Sequence, residues 1–369
     1  MTPTRQIAVL LNQHEPANQA ARSSMSPIKV LLLSDSRPGH YHLAEGVIAA
    51  LARVRPVETV RVGLRRRKWV LTKALRVLMR RQISPALLLN LGYGLDARAL
   101  PRVDLVISAG RETIPANVAA ARHLGAVNIF CGSLRQIPAD VFSLVITSYD
   151  RYAALPNHIV TLKPSAMDPD ALGRPKIVPP TGPDAPPGRA ALLIGGDSGF
   201  FTYTEAEWRR LIGFIGEVHA AWGTRWIVST SRRTPVLVGD MIAAAARKGD
   251  AIEQFLDYRA SGPGTLPDVF RQVDAVLCTE DSSTMISEAV CARLPVVGVS
   301  PQAHHFKDEE AEYRGLMRDK SWCRFVPIAQ IDVTSFGKAL QQIRPLAGNH
   351  LDELAELLEK RLPALFGEP

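Results

Sequence analysis

The chain has 369 residues, 46% of them hydrophobic and 22% charged, which is enough for two α/β domains. With a mean hydropathy of +0.02 it contains no apolar run near the ~18 residues that a membrane-crossing helix needs. The net charge of +8 leaves nucleic acid, an anionic membrane or a phosphorylated substrate open as partners. Cys131, Cys278, Cys291 and Cys323 have no CxxC spacing, which argues against zinc and for buried thiols in a reducing compartment.

Residues 1–26 read as an extension outside the core. Ile7 to Leu11 is apolar but short, Asn12 to Ser26 is polar without period, and no secretory signal is assembled there. A start at Met25 would suit a fold that opens at Ile28. Ile28 to Leu33 is the first strand, and SDSRPGH (34–40) leads from it into a helix through Leu51. Pro38 and Gly39 are expected to make the turn, Gly39 letting backbone approach a ligand because it lacks a Cβ. Asp35 and His40 are the catalytic candidates in this loop, and His42 reads as surface.

Val57 to Val62 is the second strand. Arg61, Arg65, Arg66, Arg67, Lys68, Lys73, Arg76, Arg80 and Arg81 then follow without an intervening acid. Val70, Leu71, Ala74, Leu75 and Leu78 recur at helical spacing, so a basic amphipathic helix is predicted over 65–81, of the sort that lies on anionic lipid. A core-packed helix with a solvated basic face is the alternative. Aromatic residues suited to stacking bases are not interleaved, so nucleic acid ranks below membrane.

Val103 to Ala109 is another buried strand, followed by SAGRET (108–113) at its end and by a helix that tolerates Pro115 in its first turn. Arg111, Glu112 and Thr113 come near His40 if both loops belong to one sheet. Asn128 to Cys131 and Leu144 to Thr147 supply further strands. The prolines between Pro164 and Pro187 mark a linker over 166–189, which separates a first domain at 27–165 from a second at 190–345. Residues 346–369 carry a last amphipathic helix, Leu351 to Leu362.

In the second domain, Ala191 to Ile194 is a strand and GGDS (195–198) its turn. Glu205 to His219 is a helix. Arg225 to Thr230 is a strand that ends in TSRRTP (230–235), where paired arginines suit a diphosphate because guanidinium binds phosphate in bidentate fashion. Ala251 to Leu256 is a helix or a short strand. Residues 273–301 then read as strand, polar turn, helix, strand, with TEDSSTMISEA (279–289) in the middle. The amides at such a helix start attract anions, and Ser282, Ser283 and Thr284 add hydroxyls. Glu288 lies about one turn further, within reach of a ribose hydroxyl. An ordinary βαβ unit with Asp281 or Ser282 as its N-cap is the alternative. His304 and His305 lie at the end of the next strand, where a metal reading of the pair is weak.

Residues 273–301 resemble the nucleotide-binding segment of GT-B glycosyltransferases. The five motifs together, in order over about residues 28 to 340, are similar to those of the "elongated mitochondria" family of mitochondrial-fission proteins, whose bacterial members are regarded as glycosyltransferases. The resemblance implies an α/β fold of two Rossmann-like parallel-sheet domains facing a cleft. It implies a nucleotide-sugar donor on the second domain, at Ser282, Ser283, Thr284 and Glu288, to which the polar turns add Gly196, Asp197, Ser198, Arg232 and Arg233 as candidate ligands. An acceptor is implied on the first, near Arg37, Gly39, Arg111 and Thr113. The basic stretch suggests a lipid-linked or envelope-glycan one, and the loop residues suggest His40 as base with Asp35 as its orienter, Asp35 itself and then Glu112 being the alternatives. No cofactor and no metal are implied, because helix dipoles and basic side chains stabilise the leaving diphosphate. The expected location is cytoplasmic, peripheral on the inner face of a membrane, with no nucleic acid bound. A non-catalytic membrane scaffold, as the plant members suggest, and a sugar-nucleotide epimerase share the architecture. The scaffold has no evident use for the converging polar turns, which favours an enzyme.

Overall fold

A computed structural model describes residues 26–67, 77, 83–134 and 137–367. It divides into two compact units, Met1–Ala166 with His350–Pro369, and Met167–Asn349.

The first unit is built on β1 (Ile28–Ser34), α1 (Pro38–Val54), β2 (Val57–Gly63), α2 (Pro85–Tyr93), β3 (Leu105–Ala109), α3 (Ile114–Leu124), β4 (Val127–Cys131), β5 (Leu144–Thr147) and β6 (His158–Val160). The strands form one parallel sheet in the order β2-β1-β3-β4-β5-β6. Alternation along β1 sends Val30 and Leu32 to one face and Leu31 and Leu33 to the other. Both faces are covered, which is why β1 reads as an unbroken apolar run. Val30 and Leu32 share a core with Val47 and Leu51 of α1, whereas Leu31 and Leu33 pack with Leu88, Leu89 and Val118 of α2 and α3. Each such buried side chain is worth about 1.5–3 kcal/mol.

The second unit contains β7 (Arg189–Leu193), β8 (Phe201–Thr202), α4 (Glu205–Trp222), β9 (Arg225–Ser229), α5 (Val236–Lys248), β10 (Ile252–Leu256), α6 (Tyr258–Ser261) and α7 (Leu266–Gln272). It continues with β11 (Ala275–Thr279), α8 (Ser283–Cys291), β12 (Val296–Ser300), β13 (Ala303–His304), α9 (Asp308–Asp319), β14 (Cys323–Pro327) and α10 (Val333–Gln341). Its parallel sheet runs β10-β9-β7-β11-β12-β14, and β8 and β13 pair as a separate antiparallel ribbon. Trp226, Phe214 and Phe336 meet in its core, Phe214 edge-on to both of the others. A capping box of Thr204 and Glu207 starts α4, and left-handed Gly223 ends it.

The last helix, α11 (His350–Arg361), belongs to the first unit. Leu351, Leu354 and Leu358 bury themselves in the same core as α1, and Arg53 pairs with Asp352 at 3.0 Å. His350 Nε2 lies 2.9 Å from the Ser165 carbonyl.

Of residues 166–189, expected as a linker, all from Met167 on belong to the second unit. Arg174 donates to the Val273 carbonyl at 2.8 Å, and buried Arg293 donates to Asp170 at 2.7 Å. The basic helix over 65–81 is corrected in its first part. Arg65, Arg66 and Arg67 continue from β2 as irregular chain, because the Leu64 amide donates to the Ser34 carbonyl and the Arg67 amide to the Gly92 carbonyl. Val77 is helical and exposed, and the rest of the predicted helix lies outside the described residues. All four cysteines are free and buried. Among the described residues, no helix is long and apolar enough to cross a membrane.

Candidate functional site

In open α/β sheets, ligands bind outside the carboxyl ends of the strands where the strand order reverses. In the first unit the reversal falls between β1 and β3, and in the second between β7 and β11. The loops after these four strands carry SDSRPGH, SAGRET, GGDS and TEDSSTMISEA.

In the first unit, His40 Nδ1 lies 2.7 Å from Asp35 Oδ2. The Asp35 side chain is 7% exposed and the His40 ring 33%. Burial pushes the Asp35 carboxyl up, but the hydrogen bond and charge of His40, with the Arg37 amide and guanidinium, outweigh it and hold the group below its ordinary value. The turn is made by Asp35-Ser36-Arg37, not by Pro38-Gly39 as expected. Ser36 takes a left-handed φ of 65° and the Arg37 amide donates to Asp35 Oδ1, so Pro38 and Gly39 already form the first turn of α1. Gly110, after β3, has a φ of 90°, and a Cβ there would lie 2.2 Å from His40 Nδ1. The two loops therefore meet at the imidazole.

The other residues expected in this unit are dispersed. Arg37 is exposed, its Nε 3.9 Å from Asp35, and Arg111 is exposed. Glu112 is ion-paired with Arg66, and its backbone carbonyl accepts from the Tyr93 hydroxyl. Thr113 requires a correction. It is fully buried and its hydroxyl donates to the Gly110 and Ala109 carbonyls, so it is taken up in shaping the loop and offers nothing to an acceptor.

In the second unit, Asp281 joins three strand-end turns. Its buried carboxylate accepts from the Gly196 amide at 3.1 Å, the Tyr203 hydroxyl at 2.8 Å and the Arg233 guanidinium at 2.5 Å. Burial and the neighbouring carboxylate push the Tyr203 phenol far up, so it remains a donor. Thr279 Oγ1 accepts from the Gly195 amide at 2.7 Å, and Ser231 and Thr234 donate to the Gly195 carbonyl. The turns after β7, β9 and β11 are thus one hydrogen-bonded piece. Arg233 is engaged by Asp281, while Arg232 is exposed and has no ion pair among the described residues.

At the start of α8 the N-cap Ser282 makes no side-chain cap bond, so the first-turn amides of Ser283 and Thr284 are not satisfied by it. Glu288 lies further along α8 and is buried. Asp197 is exposed and accepts from the Tyr203 amide, and Ser198 Oγ accepts from the Phe200 amide. On the other flank, buried Arg314 of α9 donates to the Glu280 carboxylate and to the Glu280 carbonyl, both at 2.7 Å. His304 stacks on Phe201 and His305 meets the edge of Phe200, so both histidines pack on the β8–β13 ribbon. No three His, Cys, Asp or Glu side chains are grouped as a metal site would need, among the described residues.

Sequence reasoning left Asp281 as a mere helix cap and passed over Tyr203, Glu280 and Arg314. Tyr203 and Arg314 lie 78 and 34 residues from their partners, so no local pattern announces them. The acidic pair Glu280-Asp281 at the end of a buried strand is the one signal that was there.

Two parallel six-stranded sheets, each with its polar turns at the strand-order reversal, define a fold of the GT-B class. The chain belongs to the mitochondrial fission ELM1 family, whose model matches residues 38–356. Among solved structures it is similar to one from Listeria monocytogenes assigned as a UDP-N-acetylglucosamine 2-epimerase, with a TM-score of 0.56, 12% identity, and coverage of 93% of this chain and 98% of that one. It is also similar to S. aureus MnaA in a co-structure with UDP, with a TM-score of 0.55, 11% identity, and coverage of 92% and 97%. At such identities the likeness is one of fold. No curated protein matches the chain.

Proposed function

We propose that the chain is a nucleotide-sugar-dependent glycosyltransferase. The observation that carries the reading is the second unit's set of three turns, tied by Asp281 beside the start of α8, where the N-cap Ser282 makes no side-chain cap bond. A diphosphate suits this place. The Ser283 and Thr284 amides, the Ser282 hydroxyl and Arg232 are its donors, with Gly196, Asp197 and Ser198 alongside and Glu288 on the ribose. That S. aureus MnaA was solved with UDP supports a uridine nucleotide as the first to try.

In the first unit Asp35 accepts from His40 Nδ1–H, which leaves the lone pair on Nε2. His40 then takes the proton of an acceptor hydroxyl. The acceptor oxygen bonds to the anomeric carbon, the bond from that carbon to the phosphate oxygen breaks, and the nucleoside diphosphate leaves on the α8 N-terminus, where its charge is stabilised. Glu112 is the weaker candidate for base, since Arg66 holds it. The basic stretch from Arg65 to Arg81 supports work at an anionic membrane surface.

A second reading is a UDP-sugar epimerase, supported by the assignment of the Listeria structure. The test is a thermal-shift panel of nucleotide-sugars, since a ligand of the folded state raises the melting temperature with its affinity. The best binder is then assayed for nucleoside diphosphate release with and without acceptor and for conversion to an epimeric sugar. Stabilisation by a nucleotide-sugar and acceptor-dependent release are expected. Epimer formation without acceptor would establish the second reading, and no binding by any nucleotide would leave a scaffold.

A further inference from the structure

We propose that the acceptor held by the first unit carries phosphate, recognised by arginines at the same strand ends as the Asp35–His40 pair. The proposal rests on the transferase reading and names the chemistry of its acceptor. Three adjacent parallel strands, β2, β1 and β3, all end in arginine-bearing chain. Arg37 follows β1, Arg65, Arg66 and Arg67 follow β2, and Arg111 follows β3. Arg61 stands near the end of β2 itself.

The carboxylates at this end are already engaged. Asp35 serves His40 and Arg37, Glu45 pairs with Arg61 at 3.4 Å, and Glu112 pairs with Arg66. Arg65, Arg67 and Arg111 have no carboxylate partner among the described residues. The sequence offers none nearby, since no Asp or Glu occurs between Glu58 and Asp96. Arginines placed at neighbouring strand ends without counter-charge raise the local positive potential, which a bound anion neutralises. Phosphate is the anion whose oxygens match the planar guanidinium fork in bidentate fashion. A nucleic acid fits less well, because bases need open aromatic faces. The Tyr41 ring is covered by Arg61 at 3.9 Å, and Tyr93 is buried.

The placement suits transfer. Arg37 lies three residues before His40, and Arg111 follows the glycine that touches His40. A phosphate on these two arginines would bring the neighbouring part of the acceptor to the base. The phosphate can belong to a soluble sugar phosphate or to a lipid headgroup, and the chemistry of recognition is the same.

The test uses the full chain with and without saturating UDP, so that the second unit's anion site is either filled or open. Inorganic pyrophosphate and glucose 1-phosphate are titrated by calorimetry. In parallel, sedimentation is measured with vesicles of phosphatidylcholine, with and without phosphatidic acid. Binding to at least one phosphate probe in the presence of UDP is expected. It should weaken about tenfold or more in Arg37→Gln/Arg111→Gln and in Arg65→Gln/Arg67→Gln, the scale of one lost charge-assisted hydrogen bond, and with added salt. UDP affinity should stay the same in both variants. Glucose 1-phosphate binding without vesicle binding assigns a soluble acceptor, and the reverse assigns a lipid-borne one. The proposal is overturned if no phosphate probe binds once UDP is bound, or if binding persists in both variants and is lost in Arg232→Gln. Failure of UDP itself to bind would count against the donor site alone, because the titrations without UDP still report on the first unit.

Discussion

A Cβ on Gly195 would fall 2.0 Å from Oδ2 of Asp281. That oxygen cannot give way cheaply, because the carboxylate is held by the Gly196 amide, Tyr203 and Arg233 at once. Glycine at 195 is therefore demanded by the carboxylate that ties the turns. Gly195→Ala should cost about 1–3 kcal/mol of stability, the usual scale of overpacking. It should also weaken UDP binding, because the displaced carboxylate releases the turns that frame the start of α8. Denaturant melts and UDP calorimetry check both. Wild-type UDP affinity in a destabilised Gly195→Ala would separate the turns from the nucleotide.

Gly110 stands in the same relation to His40. Its φ of 90° and the 2.2 Å approach to Nδ1 leave no room for a side chain. Gly110→Ala should push the imidazole off Asp35 and lower turnover by about 100-fold or more, as loss of a general base does, without changing UDP affinity. If the effect runs through His40, adding His40→Ala to Gly110→Ala should lower turnover little further. Two fully additive losses would show that Gly110 acts by another route.

The Asp35–His40 pair has a pH signature. Asp35 is held below its ordinary value of 3.8 in the fold. Between the folded and unfolded values the unfolded chain binds more protons, so stability rises with pH there. The stabilisation is complete above about pH 3.8, the unfolded value, and is lost as pH falls through the folded one. The stability gap between wild type and Asp35→Asn should thus be constant at neutral pH and close only in strong acid. Urea melts across an acid series measure it. A gap that stays open unchanged into strong acid would mean that Asp35 contributes through something other than its carboxylate charge.

Much of the sheet framework was legible because both faces of each sheet are covered. Val30 to Leu33, Leu105 to Ile107 and Val276 to Cys278 had to be apolar throughout, and such runs stand out. The strand-end motifs stood out as polar residues directly after those runs. Other elements gave weaker signals. In α2, PALLLNLGY, apolar residues occupy the exposed face as well as the buried one, so no period shows. Helix α5 opens on exposed Val236 and Leu237, with no capping side chain and no acid in its first turn. The β8–β13 ribbon has two residues on each side, too few for any alternation. The candidate sites divide in the same way. Asp35, His40 and the serines at the start of α8 were visible as local polar clusters. The engagement of Arg233 by Asp281, and the withdrawal of Thr113 into its own loop, depend on contacts that only the folded chain creates.

The buried pair Glu280–Arg314 holds the far side of the β11 turn, and its energetics can be separated. Arg314 donates to both the side chain and the backbone of Glu280, and Phe306 lies against its guanidinium at 4.3 Å. Glu280 is 3% exposed and Arg314 5%. Breaking a buried ion pair from one side leaves a charge without its partner and costs about 3–5 kcal/mol, whereas replacing both members by groups of similar shape can be nearly neutral. Arg314→Met should therefore be strongly destabilising, and Glu280→Gln/Arg314→Met much less so. Burial already holds Glu280 above its ordinary value of 4.5, against the pull of Arg314. With Arg314 removed the carboxylate should rise further and take up a proton instead of staying charged. The folded state then binds more protons than the unfolded one, so the stability of Arg314→Met should fall as pH rises from about 4.5 through that raised value. Glu280→Gln/Arg314→Met should lack this fall. Urea melts of the three proteins over an acid-to-neutral series are the measurement. Equal stabilities for the single and double variants, with parallel pH dependence, would show that Arg314 matters for its packing on Phe306 and not for the charge of Glu280.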